Sequence, residues 1–192
     1  PAFQLELLPL LSGRGYHSMM HANDAVNRNA EFTNDTFITK LYNDTPVIYI
    51  NIPGGDYHHH PDWFVHFNYA VEKYRGLDFD EDLFNPGHFS ITLKEGDKIG
   101  IILSTENPAG RNAIELLKKE KLRRETLIEG QPEDEMLQQL ILAADQFIVK
   151  RFIQQSEGSK VPSSGGDLGE AASIIAGYHW FTDWGRDTMI SL

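Results

Sequence analysis

The 192-residue chain has no cysteine. That excludes a disulfide framework and thiol chemistry. No apolar run approaches the ~18 residues of a membrane-spanning helix. Nor does a basic segment followed by an apolar stretch open the chain, so no export signal is visible and the cytoplasm is the expected compartment. Positive charge is scarce: 17 Lys and Arg stand against 28 Asp and Glu, for a net charge of −11. An acidic surface repels phosphate backbones, so nucleic acid is not an expected partner. A neutral polysaccharide remains compatible with that charge. Internal repeats are absent as well. What remains is 41% hydrophobic and 23% charged, an ordinary globular balance whose length allows one or two domains.

Both ends read as cut. The chain opens at Pro1 without an initiator Met. It stops at Leu192 inside an apolar-periodic segment (Trp184, Thr188, Ile190) with no Gly, Asn or Pro stop signal, which reads as an interrupted helix.

The first part is β-rich. Thr36–Tyr42, Val47–Ile52 and Trp63–Val71 are short runs of β-branched and aromatic residues, punctuated by Asp44-Thr45-Pro46 and Pro53-Gly54-Gly55-Asp56. His88–Leu93 and Lys98–Leu103 flank Lys94-Glu95-Gly96-Asp97, which predicts a hairpin with a four-residue loop. Strands at this spacing predict part of an antiparallel sandwich over residues 1–107. Residues 108–132 then form a linker: Arg111–Glu129, rich in Lys, Glu and Leu, predicts a charged, exposed helix that Gly130 stops. Pro132 suits the first position of the next helix. Glu133–Phe152 places Leu137, Leu140, Ile141, Ala144, Phe147, Ile148 and Phe152 on one face and predicts a continuous amphipathic helix. That face needs cover, from the β part or from a second copy, so a homo-oligomer is among the expectations. Ser156–Gly169 is a polar Gly/Ser/Pro loop, and a last helix starts near Asp183, whose carboxylate can cap it. The fold class is α+β, with residues 133–192 as a separate, helical region.

The chemistry concentrates in the last sixteen residues. Gly177-Tyr178-His179-Trp180-Phe181-Thr182-Asp183-Trp184-Gly185-Arg186-Asp187 interleaves four aromatic rings with two carboxylates and an arginine. Ring faces stack on the apolar faces of a pyranose, and Asp and Arg hold its hydroxyls through charge-assisted hydrogen bonds. At ~3.6 residues per turn Trp180 and Trp184 share a helix face. Trp184 is the better sugar platform and Phe181 the better core residue. Asp183 and Asp187 invite a two-carboxylate glycosidase reading. However, an inverting acid and base flank the bond about 6.5–9.5 Å apart, and two carboxylates on one helical turn lie on the same side of a ligand. Asp183 reads instead as a cap or as a partner of Arg186.

Other clusters have plainer readings. Among His58-His59-His60 only His58 and His60 could converge in a strand, and no third ligand is placed by spacing, so an exposed turn is expected. Asp78, Asp80, Glu81 and Asp82 lack the glycine of a calcium loop and read as a solvated acidic turn. Lys118–Arg124 reads as a solvated helix face. No metal site and no cofactor is expected.

The segment Ala176-Gly177-Tyr178-His179-Trp180-Phe181-Thr182-Asp183-Trp184-Gly185-Arg186-Asp187-Thr188 closely resembles the Trp-Gly-Arg-Asp-Thr segment of glycogen debranching enzymes, in their amylo-α-1,6-glucosidase part. Three further motifs resemble the bacterial and archaeal form of this family. Pro9-Leu10-Leu11 with Arg14-Gly15-Tyr16-His17 is similar to its Arg-Asp-Tyr-His segment, with Gly15 where Asp is usual. Glu81-Asp82-Leu83-Phe84-Asn85-Pro86-Gly87 is similar to its Pro-Gly turn, and Leu142-Ala143-Ala144-Asp145-Gln146-Phe147 to the first helix of its catalytic domain. The resemblance implies an N-terminal β-sandwich followed by a six-hairpin α/α barrel, of which this chain would hold the sandwich end and the first hairpin. It implies hydrolysis of the α-1,6-linked glucose at branch points of glycogen or another branched α-glucan, with inversion and no cofactor. Trp180, Asp183, Trp184, Arg186 and Asp187 would bind substrate. The general acid and base would lie beyond Leu192, so the chain alone would be inactive. Two rival readings are a non-catalytic carbohydrate-binding or structural piece and another α/α-barrel glycosidase, such as a glucoamylase or trehalase relative.

Overall fold

The computed structural model describes residues 1–15, 18–152 and 170–175. In chain order the elements are β1 (Ala2–Leu7), β2 (Glu31–Thr33), β3 (Thr36–Thr39), β4 (Ile48–Asn51), β5 (Asp56–Asn68), α1 (Ala70–Tyr74), β6 (Asp80–Lys94), β7 (Ile102–Ser104), α2 (Ala113–Ile128), α3 (Glu135–Asp145), β8 (Ile148–Phe152) and β9 (Glu170–Ile174). The chain divides into two units, Pro1–Lys118 and Lys119–Leu192, with the boundary inside α2.

The first unit is built from two antiparallel sheets, one ordered β1-β6-β5 and one ordered β2-β3-β4-β7. Alternation along the strands turns one face of each sheet inward. Phe37 and Ile50 from one sheet meet Phe89 from the other, with Ile52 beside them, all almost fully buried. Phe32, Phe37, Tyr57 and Phe89 form a ring cluster drawn from both sheets, with Phe37 edge-on to Phe89 at 5.5 Å between centroids. Edge-to-face pairs of this kind are favourable beyond the area they bury. A second cluster, Leu11, Met20, Val26, Leu41 and Phe84, lies under the long segment between β1 and β2. The expected antiparallel β architecture is therefore present.

Several local expectations change. The hairpin predicted across Lys94-Glu95-Gly96-Asp97 does not form. Its turn is there: Asp97 N–H donates to the Lys94 carbonyl, the Asp97 carboxylate accepts from Lys94 N–H, and Gly96 takes φ +88°. Yet β6 pairs with β1 and β5, whereas β7 pairs with β4 in the other sheet. Ile99 and Ile101, after the turn, pack on the Phe37–Phe89 core, and their burial takes the chain across between sheets. The tight hairpin lies elsewhere, at β2 and β3. There Asn34 and Asp35 take φ +48° and +58° between paired Thr33 and Thr36, the two-residue turn whose twist matches the strands.

His58-His59-His60 is not a turn but part of β5, with His58 opposite His88 and their rings stacked at 4.7 Å. All three remain exposed, as expected. The Asn85-Pro86-Gly87 segment is likewise no turn, lying within the central strand β6. Proline cannot donate to a ladder, and the partner strand is irregular there, its register shifting between His59 and Asp62. Gly87 sits at φ +143° so close to β5 that a Cβ would lie 2.2 Å from the His58 carbonyl oxygen. Strand β5 ends at Asn68, so Ala70 and Val71, expected in a strand, open α1.

The charged helix is α2, as expected, capped at its start by the Asn112 side chain, which accepts from Ile114 and Glu115 N–H. Gly130 follows it at φ +74°. Helix α3 begins at Glu135 rather than at Pro132, because the Asp134 carboxylate caps it, accepting from Met136 and Leu137 N–H. It ends at Asp145, seven residues short of the predicted end at Phe152. Ile148–Phe152 is β8, paired antiparallel with β9. Phe147-Ile148-Val149 supports either period over a short run, and a strand partner decides it. The described residues of the second unit do not include a barrel. The predicted loop 156–169 and the predicted helix near Asp183 lie outside the described residues.

Candidate functional site

Trp180, Asp183, Trp184, Arg186 and Asp187, the residues expected to bind sugar, all lie outside the described residues. The structure does describe how the two motifs of the β part meet. Leu11 and Phe84 exchange backbone hydrogen bonds in an isolated bridge, which fixes the first motif beside the second. The Asn85 amide donates to the carbonyls of Pro9 and Gly87, both at 2.8 Å. At the centre is Glu81, 1% exposed. Its Oε1 accepts from Arg14 Nε, from Ser12 Oγ at 3.0 Å and from Met20 N–H at 3.2 Å. Its Oε2 accepts from Arg14 Nη2 at 3.0 Å and from Tyr69 Oη at 2.7 Å.

Burial alone would push the Glu81 carboxyl up. The bonds from Arg14, Tyr69, Met20 and Ser12 outweigh that and hold it at about 2. The same bonds push Arg14 and Tyr69 up, chiefly through their hydrogen bonds to Glu81. A carboxylate this acidic, with five donors on two oxygens, has neither a proton to give nor a lone pair to take one. Glu81 is thus a junction that ties β6, the segment after β1 and the residue before α1. It is not an acid–base residue. The solvated acidic turn expected here is corrected accordingly: Glu81 and Asp82 are buried strand residues.

Asp82 accepts from Ala22 N–H and His66 N–H, both at 2.9 Å, and these backbone bonds lower its carboxyl. His66 sits at φ +64°, where the β5–β6 register shifts between Phe64 and Phe67. Its Nδ1 lies 3.1 Å from Asp80 Oδ1, and that bond pushes the imidazole up. His21 Nδ1 lies 3.8 Å from Asp82 Oδ2. The partners Ser12, Met20, His21, His66 and Tyr69 were not singled out by sequence. Arg14 and Glu81 were, by resemblance, but a pairing across 67 positions has no local signal.

Two depressions open on the first unit. One, of about 330 Å³, is lined by Asn51, Ile91, Lys98, Ile99, Arg111 and Asn112 among others and has no aromatic side chain in its wall. A pyranose-stacking platform is therefore missing from it. The other, of about 450 Å³, is lined by Ser18, Met19, His21, Asp78, Phe79 and Asp80. In the second unit, Arg123 bridges Glu120, at 2.8 Å, and Asp145 at the end of α3, at 2.6 Å. Part of the charge run expected to be merely solvated thus joins the two helices. No described helix is long and apolar enough to cross a membrane.

Comparison with protein families matches residues 1–100 to glycogen debranching enzyme N terminal and residues 142–192 to amylo-alpha-1,6-glucosidase. Comparisons with curated proteins and with solved structures gave no match. The first family match spans just over half of the chain and takes in both motifs joined at Glu81, and the second begins within α3 and runs through the aromatic tail. The chain belongs to the glycogen debranching enzyme family, whose substrates are glycans.

Proposed function

We propose that this chain serves an amylo-α-1,6-glucosidase, which hydrolyses the single α-1,6-linked glucose at branch points of glycogen or a related α-glucan. The observation that carries the reading is the coincidence of the amylo-alpha-1,6-glucosidase match with the aromatic and charged tail of 177–187. In this reading Trp184, with Trp180 on the same face, stacks on the terminal glucose. Arg186 and Asp187 hold its hydroxyls, and Asp183 orients Arg186. The β part is a scaffold, since its central carboxylate is consumed by five donors. Residues 1–192 supply binding, and the acid and base come from elsewhere in the enzyme, so the isolated chain releases no glucose from a branched limit dextrin.

Asp187→Asn in the catalytically complete enzyme tests the assignment, because it keeps shape and removes charge. A hydrogen bond to a charged group contributes roughly 1.5–3 kcal/mol, so kcat/KM should fall about ten- to a few-hundred-fold. The melting temperature should hardly move. Near-normal kinetics with clear destabilisation would make Arg186 and Asp187 a structural ion pair instead.

A further inference from the structure

We propose that His21, His66, Asp80 and Asp82 form a binding site for a divalent transition cation of the zinc type on the β part. One ligand atom each from His21, Asp80 and Asp82 already lies within 4.8 Å of the other two. His66 joins them through Asp80, its Nδ1 3.1 Å from Asp80 Oδ1. The four come from three chain segments: His21 from the segment after β1, His66 from β5, Asp80 and Asp82 from one face of β6, two positions apart.

Two imidazoles with two carboxylates are the donor set of a borderline cation, not of calcium or magnesium, which take oxygen alone. Zinc binds such donors at about 2.0–2.2 Å, so the cluster must contract around the ion. The parts that must move are free to do so, since the His21 and His66 side chains are 62% and 78% exposed. The part that must stay is fixed. Asp82 is nearly buried and held by Ala22 and His66 N–H, which leaves each oxygen a further lone pair.

Charge supplies the second observation. Among the described residues, Arg14 is taken by Glu81, and the only basic side chains paired with Asp80 and Asp82 are the two imidazoles. Two carboxylates therefore face each other's neighbourhood without a permanent positive charge, which a divalent cation would supply. The depression lined by Ser18, Met19, His21 and Asp80 gives an ion a path from solvent. Occupied, the site would clip the segment after β1 to the start of β6.

The test is calorimetric titration of the chelator-stripped chain, without an affinity tag, using zinc chloride. One zinc per chain at micromolar affinity is expected. His21→Ala and Asp80→Asn should each weaken it about tenfold or more, the scale on which lost metal-site groups are felt. His59→Ala/His60→Ala, on the other exposed histidine run, should leave it unchanged. Cobalt(II) should give the visible absorption of a tetrahedral ion in the parent chain and not in the variants, a readout independent of affinity. Far-UV circular dichroism confirms that the variants fold, and His66→Gln provides a second route if Asp80→Asn does not. No micromolar binding, loss only in the His59/His60 variant, or equal competition by calcium would each overturn the site.

Discussion

Glu81→Gln is the sharpest test of the junction in the β part, because it changes one charge and almost no volume. The wild-type carboxylate accepts all five donors, three on Oε1 and two on Oε2. An amide offers one oxygen, and its NH₂ faces donors whichever way it turns. If the oxygen keeps Ser12, Arg14 Nε and Met20, then Arg14 Nη2 and Tyr69 Oη meet a donor. Two routes give the size of the loss. Holding the carboxyl at about 2 instead of 4.5 corresponds to about 3 kcal/mol, at ~1.4 kcal/mol for each tenfold change in proton affinity. Removing one partner of a buried pair independently costs about 3–5 kcal/mol.

The sign with pH follows from the depressed folded value. The Glu81 contribution is complete above its unfolded value near 4.5 and is lost as pH falls toward about 2. At pH 3, about 1.5 of those ~3 kcal/mol should remain. Urea unfolding of both proteins at pH 7 and pH 3 measures this, since groups common to both cancel in the difference. The variant should be about 3 kcal/mol less stable at pH 7, and the gap should narrow by about 1.5 kcal/mol at pH 3. A loss under about 1 kcal/mol at pH 7 would refute the reasoning, placing Glu81 among exposed ion pairs. So would a gap that stays constant with pH.

The other predictions are local. Gly87→Ala should prevent or severely weaken folding, since its Cβ would fall 2.2 Å from the His58 carbonyl oxygen at φ +143°; a melting temperature within a few degrees of wild type would show that β5 can yield. Asp134→Ala removes the α3 cap and should cost about 1 kcal/mol, read as lost helicity and earlier unfolding. In chelator-treated buffer, His66 should titrate above the usual ~6.5, because Asp80 raises it. Its stabilisation is then complete below ~6.5 and lost as pH rises through the folded value; imidazole NMR in wild type and Asp80→Asn should show the shift and its removal.

The sequence made elements legible where a local cause suffices. Helix α2 follows from its composition, with Gly130 as its stop, and the turn at Gly96 follows from turn chemistry. Pairing was not legible, because it is decided by burial elsewhere. The turn at Gly96 joins two sheets instead of two partners, since Ile99 and Ile101 find the Phe37–Phe89 core across the gap. Ile148–Phe152 fits the predicted helical period yet forms a strand, because β9 offers it a ladder. The Asn34-Asp35 hairpin had a readable signal, two residues tolerant of positive φ, but β2 is only three residues long. Glu81 illustrates the limit best. Its neighbours in sequence are acidic, which favours a solvated turn. What buries it is an arginine 67 positions earlier and a tyrosine hydroxyl beyond β5.

That burial bears on where chemistry can reside. A glycosidase carboxyl must exchange a proton or attack, so it needs a free lone pair, a perturbed but reachable pKa, and access to a bond. Glu81 has none of these. Asp82 accepts one backbone N–H on each oxygen, and these bonds lower its carboxyl, so it holds no proton to give. The depression bounded by Lys98 and Arg111 holds one carboxylate, Asp97, which accepts from Lys94 N–H in the turn, and it has no aromatic floor. The motifs of residues 1–100 that resemble the family therefore mark how the β part is built: one arginine and one proline–glycine strand locking two segments together. Sugar-binding residue types instead gather in 177–187, within the match to amylo-alpha-1,6-glucosidase. Variants at Arg14, Glu81 or Gly87 should consequently act through the amount of folded protein. Variants at Trp184, Arg186 or Asp187 should act through kcat/KM. A variant of the first group that kept its melting temperature but lost turnover would break this division.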